Sequence, residues 1–61
     1  MNQQTATRKL INSRDAARYL CISERTLWQL SSDGKLPTVR IGRMVRFDVA
    51  DLNEFIAKQK T

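Results

Sequence analysis

Residues 22–30, Ile-Ser-Glu-Arg-Thr-Leu-Trp-Gln-Leu, place hydrogen-bonding side chains at the spacing of one exposed helix face. Ser23 is suited to cap this helix, because its hydroxyl can accept a hydrogen bond from an amide of the first turn. At about 100° per residue the leucines share one side, and Arg25 and Gln29 lie on the opposite side. Arg can donate two hydrogen bonds to guanine and Gln can pair with adenine, but the same pattern fits any amphipathic surface helix.

Composition limits the classes of function open to the chain. Its 61 residues suffice for one small domain with a marginal core, and they include one cysteine and no histidine. A single cysteine cannot form an intramolecular disulfide, and without histidine we expect no zinc site, no cofactor and no catalysis. The sequence shows no membrane span and no signal-peptide pattern. It therefore predicts a non-enzymatic cytoplasmic protein, associated with the nucleoid if its partner is DNA.

The charge is basic and unevenly distributed along the chain. Eleven Lys and Arg against six Asp and Glu give a formal net charge of +5. Residues 35–47 contain four cations and no acid, whereas residues 48–54 contain three acids and no cation. An excess of positive charge favours polyanionic partners. Its segregation predicts one face turned toward a polyanion and another turned away from it.

Capping signals predict a first helix and a short turn into the second. Asn12 should cap the first helix, with Asp15 returning the bond in a capping box. The helix should stop near Leu20, because the cap of the next helix follows almost at once. Ile22 before that cap and Leu27 inside the helix have the spacing of a hydrophobic staple. Two helices joined so closely predict a helix-turn-helix.

Two further signals place the end of the second helix and the start of the third. Gly34 suits a left-handed helix stop, and Pro37 prevents the helix from continuing. Asp48 should cap a third helix, whose apolar stripe supplies the largest core side chains. Lys58 and Lys60 lie where the C-terminal end of a helix favours cations.

The segment between the second and third helices alternates apolar and basic residues, which is the period of a strand. A two-residue turn would place Val39 opposite Arg46, whereas a three-residue connection at positions 42–44 would pair Val39 with Phe47. Only the three-residue connection puts all four apolar side chains on one face and Arg40 and Arg46 on the other. The sequence therefore predicts a two-stranded hairpin with that connection.

Together these elements predict a mainly α fold with a small β-hairpin, a winged helix-turn-helix. Residues 10–58 should form the domain, with residues 1–9 as a disordered tail and residues 59–61 as a frayed C-terminus. The expected core consists of Ala16, Ala17, Leu20, Ile22, Leu27, Leu30, Val39, Ile41, Val45, Phe47, Val49, Leu52, Phe55 and Ile56.

The ordered motifs resemble a known group of DNA-binding domains. Residues 12–20 (Asn-Ser-Arg-Asp-Ala-Ala-Arg-Tyr-Leu), 22–28, 34–37 (Gly-Lys-Leu-Pro) and 39–43 (Val-Arg-Ile-Gly-Arg) are similar to small excisionase-type domains. These are related to the DNA-binding head of MerR-type regulators and to AlpA-type phage regulators. The resemblance covers nearly the whole chain. It implies that the second helix enters the major groove and that the hairpin acts as a wing on the backbone or minor groove.

The resemblance also implies which residues contact DNA. Groove contacts fall to Ser23, Glu24, Arg25, Thr26, Trp28 and Gln29, and wing contacts to Arg40, Arg43 and Arg46. Arg25 and Gln29 are the first choices for base contacts. Arg43 at the hairpin tip suits a narrow minor groove, and Arg40 and Arg46 suit phosphates. Trp28 should pack its ring at the edge of the core.

The sequence departs from the family pattern at Cys21, which stands where glycine usually ends the first helix. A residue with a β-carbon costs about 1 kcal/mol more than glycine in the left-handed conformation. The turn is therefore either strained or different in geometry. We expect Cys21 to be a small, mostly buried residue rather than a reactive sensor.

These observations favour a sequence-specific protein for double-stranded DNA, either an excisionase-like recombination directionality factor or a small transcriptional regulator. Its expected partners are DNA, further copies of itself bound cooperatively to repeated sites, and a recombinase or the transcription machinery. The alternative is a protein-interaction module that binds an acidic partner such as a recombinase. RNA binding is less favoured because exposed stacking aromatics are few, and membrane binding because no helix has a wholly basic polar face.

Overall fold

The computed structural model describes residues 9–60, so the predicted tail lies outside the described residues except for Lys9. In chain order the elements are β1 (Leu10–Ile11), α1 (Ser13–Leu20), α2 (Glu24–Ser32), β2 (Val39–Ile41), β3 (Met44–Asp48) and α3 (Val49–Gln59). Three helices and a small antiparallel sheet confirm the winged helix-turn-helix architecture. Within residues 9–60, no helix is long and apolar enough to cross a membrane.

All three helices begin at the residues that the sequence predicts. The Asn12 side chain accepts a hydrogen bond from the Asp15 amide at 2.8 Å, and Ser23 Oγ accepts one from the Thr26 amide at 3.1 Å. Asp48 Oδ1 accepts from the Ala50 amide at 2.9 Å. Each side chain satisfies an amide that has no partner inside its helix. The returning half of the capping box, from the Asp15 side chain, is not among the hydrogen bonds of residues 9–60.

Both helices of the helix-turn-helix end at a left-handed residue. Gly34 follows α2 with φ of 79°, as predicted, and Cys21 follows α1 with φ of 59° and ψ of 42°. The prediction that Cys21 is mostly buried is wrong, because its side chain is exposed. The next residue, Ile22, packs against the core instead, as is usual for the residue that follows a left-handed helix end.

The sheet has three strands in the order β1-β3-β2, rather than the two predicted. β1 pairs antiparallel with β3, with Leu10 opposite Asp48 and Ile11 opposite Phe47. The Val49 amide also donates to the Lys9 carbonyl at 2.9 Å, which extends this pairing to the start of α3. A strand of two residues is too short to show an alternating pattern, so the sequence carried no periodic signal for β1.

The predicted hairpin register is wrong. Val39 lies opposite Arg46 and Ile41 lies opposite Met44, which leaves a two-residue turn at Gly42 and Arg43. Gly42 has φ of 60°, and no positive φ occurs at Arg43. Glycine at the first central position with positive φ there alone is the pattern of a type II′ turn, whose twist matches that of the strands. Turn chemistry therefore outweighs the one-sided apolar face on which the prediction depended.

The core lies between the helices and one face of the sheet. Its buried apolar residues are Ala16, Ala17, Leu27, Leu36, Phe47 and Leu52, and the half-buried residues packed against them are Ile11, Leu20, Ile22, Leu30, Val45 and Phe55. Ile41, predicted as core, is 49% exposed because the observed register turns it to the opposite face. Val39 shares that face and is only half-buried. Leu36 is a core residue that the sequence analysis missed.

Candidate nucleic-acid interface

The packing of α1 and β3 against one side of α2 leaves its other side open. Leu27 is fully buried beside the small residues Ala16 and Ala17 of α1, which allow the two helices to approach closely. Arg25 and Gln29, which the helical period places on the opposite side, are both exposed. The predicted orientation of α2 is therefore confirmed.

A hydrogen bond between the two helices holds Glu24 at the beginning of α2. Ser13 Oγ donates to Glu24 Oε2 at 3.1 Å, and it links the first turn of α1 to the first turn of α2. A carboxylate at a helix N-terminus is also favoured by the helix dipole. The sequence analysis did not single out Ser13, because a contact across eleven residues gives no local signal. The side chain of Glu24 is thus held by the first residue of α1.

Ser23 and Thr26 are already hydrogen-bonded to each other. Ser23 Oγ donates to Thr26 Oγ1 at 2.9 Å while it accepts from the Thr26 amide. The proton of Ser23 is therefore used within the cap. A hydroxyl carries one donor of its own, and the Thr26 proton is not used by this bond. Of the two, Thr26 is the one that can donate to a phosphate without breaking the cap.

Arg25 and Gln29 differ in their freedom. Arg25 has no hydrogen-bond or ion-pair partner within residues 9–60. Gln29 Nε2 donates to Asp33 Oδ1 at 3.3 Å, a long bond that draws its amide toward the C-terminal end of α2. One amide proton and the carbonyl oxygen of Gln29 remain free for other partners. The guanidinium of Arg25 is thus the least restrained donor group on this side of α2.

Trp28 connects α2 to the sheet. Its ring lies edge-on to Phe47 of β3, with the ring centroids 5.7 Å apart and an interplanar angle of 61°. Aromatic pairs favour this arrangement. The side chain is nevertheless 42% exposed, so part of the ring faces solvent at the junction of α2 and the wing. This confirms the predicted position of Trp28 at the edge of the core.

The three wing arginines do not lie on one face of the hairpin. In the observed register Arg40 lies opposite Val45, on the face that bears Phe47, whereas Arg46 lies on the other face with Ile41 and Met44. The prediction that Arg40 and Arg46 share a face is therefore wrong. Arg40 points from the same side of the sheet as the helices, and Arg43 occupies the turn.

The wing arginines also differ in their contacts. Arg46 is half-buried and lies along its own strand, with Nη1 donating to the Val45 carbonyl at 2.9 Å and Nη2 to Met44 Sδ at 3.2 Å. Arg40 and Arg43 are exposed and have no partner within the described range. Three cations are thus exposed and without a partner within residues 9–60: Arg25, Arg40 and Arg43. Arg46 is half-buried and hydrogen-bonded along its own strand.

The comparisons with known proteins give one match. The sequence model of the Helix-turn-helix domain family matches residues 10–60, which is most of the chain and includes every helix and strand described above. No curated protein and no solved structure matches the chain. Among residues 9–60, no group of three or more His, Cys, Asp or Glu side chains is placed to hold a metal ion.

Proposed function

The chain belongs to the helix-turn-helix domain family, and we propose on that basis that it binds a specific sequence of double-stranded DNA. Family membership supports DNA binding. The observation that carries the sequence specificity is the free guanidinium of Arg25 on the open side of α2, opposite the buried Leu27. A base-contacting residue needs a rigid helix behind it and unused donors in front, and Arg25 has both.

In this proposal α2 enters the major groove. Arg25 donates two hydrogen bonds to O6 and N7 of a guanine, a pair worth about 1–3 kcal/mol against the wrong base. The side-chain amide of Gln29 releases its hydrogen bond to Asp33 and contacts a neighbouring base instead. The hydroxyl of Thr26 donates to a phosphate. Ser23 and Glu24 act through the cap and the bond with Ser13, and they keep the start of α2 in position.

The wing contacts follow the observed register. Arg43 at the turn approaches the minor groove, where a narrow groove concentrates negative potential. Arg40 meets a phosphate, since it projects from the same side of the sheet as α2. Trp28 fixes the distance between α2 and the wing through its contact with Phe47. Arg46, although basic, contributes less to DNA binding than Arg40 because it faces the other way.

The biological role that we propose is non-enzymatic. The protein acts as an excisionase-like recombination directionality factor or as a small transcriptional regulator, in the compartment that holds the DNA. A single domain of this size makes few contacts, so we expect copies to bind cooperatively at repeated sites. The recombinase or the transcription machinery is then the expected protein partner.

The test is selection of labelled short duplexes from a random pool, with binding followed by fluorescence anisotropy at several salt concentrations and the bound fraction sequenced. We expect steep salt dependence and a short enriched motif. Arg25→Ala should lose the preference at one position of that motif. Arg18→Ala removes the same charge from α1, and it should leave the motif unchanged.

Arg43→Ala gives the complementary result. It should weaken binding to all sequences and lower the salt slope by about 1, because its contact is electrostatic. Salt-dependent binding without an enriched motif would leave only a non-specific architectural role. If the protein does not bind duplexes even at low salt, the DNA-binding proposal is wrong, and the alternative of a module for an acidic protein partner replaces it.

A further inference from the structure

Glu24 places a negative charge at the beginning of the helix that enters the major groove in the proposed function. The residue is exposed and is the first of α2. No Lys or Arg lies within ion-pair distance of its carboxylate among residues 9–60. An unneutralised carboxylate repels phosphates, so it weakens DNA binding unless the DNA donates a hydrogen bond to it. An acid at this end of α2 therefore requires a donor on the DNA.

Ser13 restricts the carboxylate before any DNA is bound. A free glutamate side chain loses several rotatable bonds' worth of freedom when it is held in one conformation. The hydroxyl of Ser13 donates to Oε2 of Glu24 at 3.1 Å, and Ser13 itself is half-buried in the first turn of α1. Oε1 of Glu24 has no partner within the described residues. One oxygen is thus held by α1, and the other is free to accept.

The position of Glu24 on α2 suits a contact with a base. The N-terminal residues of a recognition helix are the ones that contact base edges in the major groove. At about 100° per residue, Glu24 lies about 60° from the buried Leu27 and about 100° from Arg25. It therefore lies on the border between the packed side and the open side of α2, where its carboxylate can contact Ser13 and still reach DNA.

The edges of the four bases differ in what they offer to a carboxylate. In the major groove guanine presents two acceptors, and thymine presents an acceptor and a methyl group. Adenine presents the N6 donor, but the N7 acceptor beside it repels a negative charge. Cytosine presents the N4 donor and no acceptor of its own. Cytosine is therefore the base that a fixed carboxylate selects.

We propose that Glu24 reads a cytosine and that Ser13 is the positioning residue for this contact. Oε1 of Glu24 accepts a hydrogen bond from N4 of the cytosine, next to the guanine that Arg25 contacts. The inference rests on the proposed binding of double-stranded DNA. It goes beyond that proposal, in which Glu24 only keeps the start of α2 in position. The carboxylate also acts by exclusion, since every other base places an acceptor near it.

The first test is Glu24→Gln, with the selection of duplexes repeated on the full chain. Glutamine can still accept from the Ser13 hydroxyl, and it pairs with adenine through N6 and N7. We expect the preference at this one position to change from cytosine to adenine by about tenfold, while the guanine stays. Glu54→Gln is the matched control, because it removes the same charge from α3 and should leave the motif unchanged.

The second test separates positioning from a structural role. Ser13→Ala keeps the carboxylate but releases it, so the preference for cytosine should fall by about threefold, as expected for one side chain that must be ordered on binding. The preference for guanine should not change. Ser13→Thr restores a hydroxyl and should restore the preference for cytosine. Thermal unfolding of each variant reports whether the fold is retained.

Three outcomes would overturn the inference. The selected motif could lack a cytosine beside the guanine, or Glu24→Gln could leave the motif unchanged. Ser13→Ala could weaken binding to all duplexes equally, which would mean that its bond with Glu24 only joins the two helices. A motif that keeps the guanine but shows any of these results contradicts the role of Glu24 and Ser13 alone. Absence of DNA binding, or of any motif, would instead contradict the proposed function and this inference with it.

Discussion

The ends of α1 and α2 have the same backbone geometry but different residues at the critical position. After α1, the Ile22 amide bonds the Ala17 carbonyl at 2.9 Å and the Cys21 amide bonds Arg18 at 3.1 Å. After α2, Lys35 bonds Leu30 at 2.9 Å and Gly34 bonds Ser31 at 3.1 Å. Both patterns are Schellman motifs, which need a left-handed residue. Glycine adopts that conformation without cost at one end, and cysteine adopts it under strain at the other.

The difference shows where the chain can tolerate strain. The residue after Cys21 is Ile22, which packs against the core, and Ser23 then caps α2. Both flanks of Cys21 are therefore fixed, and they hold it in the left-handed conformation. The residue after Gly34 is the exposed Lys35, and the chain is anchored to the core only at Leu36. At this end the neighbouring residues do not hold the chain in the left-handed conformation, and glycine adopts it because it has no β-carbon.

The largest effect should come from placing a branched residue at the relaxed end. Gly34→Val should lower the free energy of unfolding by about 1–2 kcal/mol, the cost of a left-handed conformation for a residue with a β-carbon. A β-carbon at Gly34 meets no atom within 4 Å, so the loss would be one of backbone conformation and not of packing. Urea denaturation measures it. Gly34→Ala adds the same β-carbon without the branch, so it should lose about as much or less. A clearly larger loss in Gly34→Ala than in Gly34→Val would contradict the explanation.

The sequence predicted those features that depend on residues close together in the chain, and it predicted less well those that depend on contacts between distant residues. The caps at Asn12, Ser23 and Asp48 were found because each depends on one side chain and an amide two or three residues away. The outward side of α2 was found because helical period alone determines it. Both features are local, and both position the candidate site.

The wing was predicted less well because its geometry depends on competing interactions. The assumption of a single apolar face favoured a three-residue connection, but Gly42 formed a two-residue turn and left Ile41 and Met44 exposed. That change of register turned Arg40 to the helix side of the sheet, while Arg46 stayed on the face opposite Phe47. No pattern in the sequence could signal the contact of Ser13 with Glu24, since it forms only when the helices pack.

Replacing the left-handed cysteine at the end of α1 by glycine should stabilise the protein. Cys21→Gly should raise the free energy of unfolding by about 0.5–1 kcal/mol, since the gain from removing strain exceeds the entropy that glycine adds to the unfolded chain. For a domain of this size, that is a rise in Tm of several degrees, on the order of 4 °C. The measurement is thermal unfolding followed by circular dichroism.

DNA binding gives the same variant a second readout. Because glycine keeps both Schellman hydrogen bonds, α2 should stay at the same angle to α1, and the affinity for the selected duplex should not change. A stabilised variant with weaker DNA binding would mean that the cysteine side chain itself holds the turn in position. A variant that is not stabilised would mean that the flanks, and not the residue, determine the cost of this turn.

The smallest effect should come from Cys21→Ala, which keeps the β-carbon in the left-handed conformation and removes only an exposed sulfur. The free energy of unfolding should stay within about 0.5 kcal/mol of the original value, as for other surface substitutions. The same urea titration checks it, run with reducing agent so that no intermolecular disulfide forms. A clear loss of stability would show that the sulfur makes a stabilising contact, and the strain at Cys21 could then no longer be assigned to its backbone alone. A clear gain in stability would point instead to an unfavourable contact of the sulfur. Cys21→Gly would remove that contact as well, so the result for Cys21→Ala decides how the result for Cys21→Gly is interpreted.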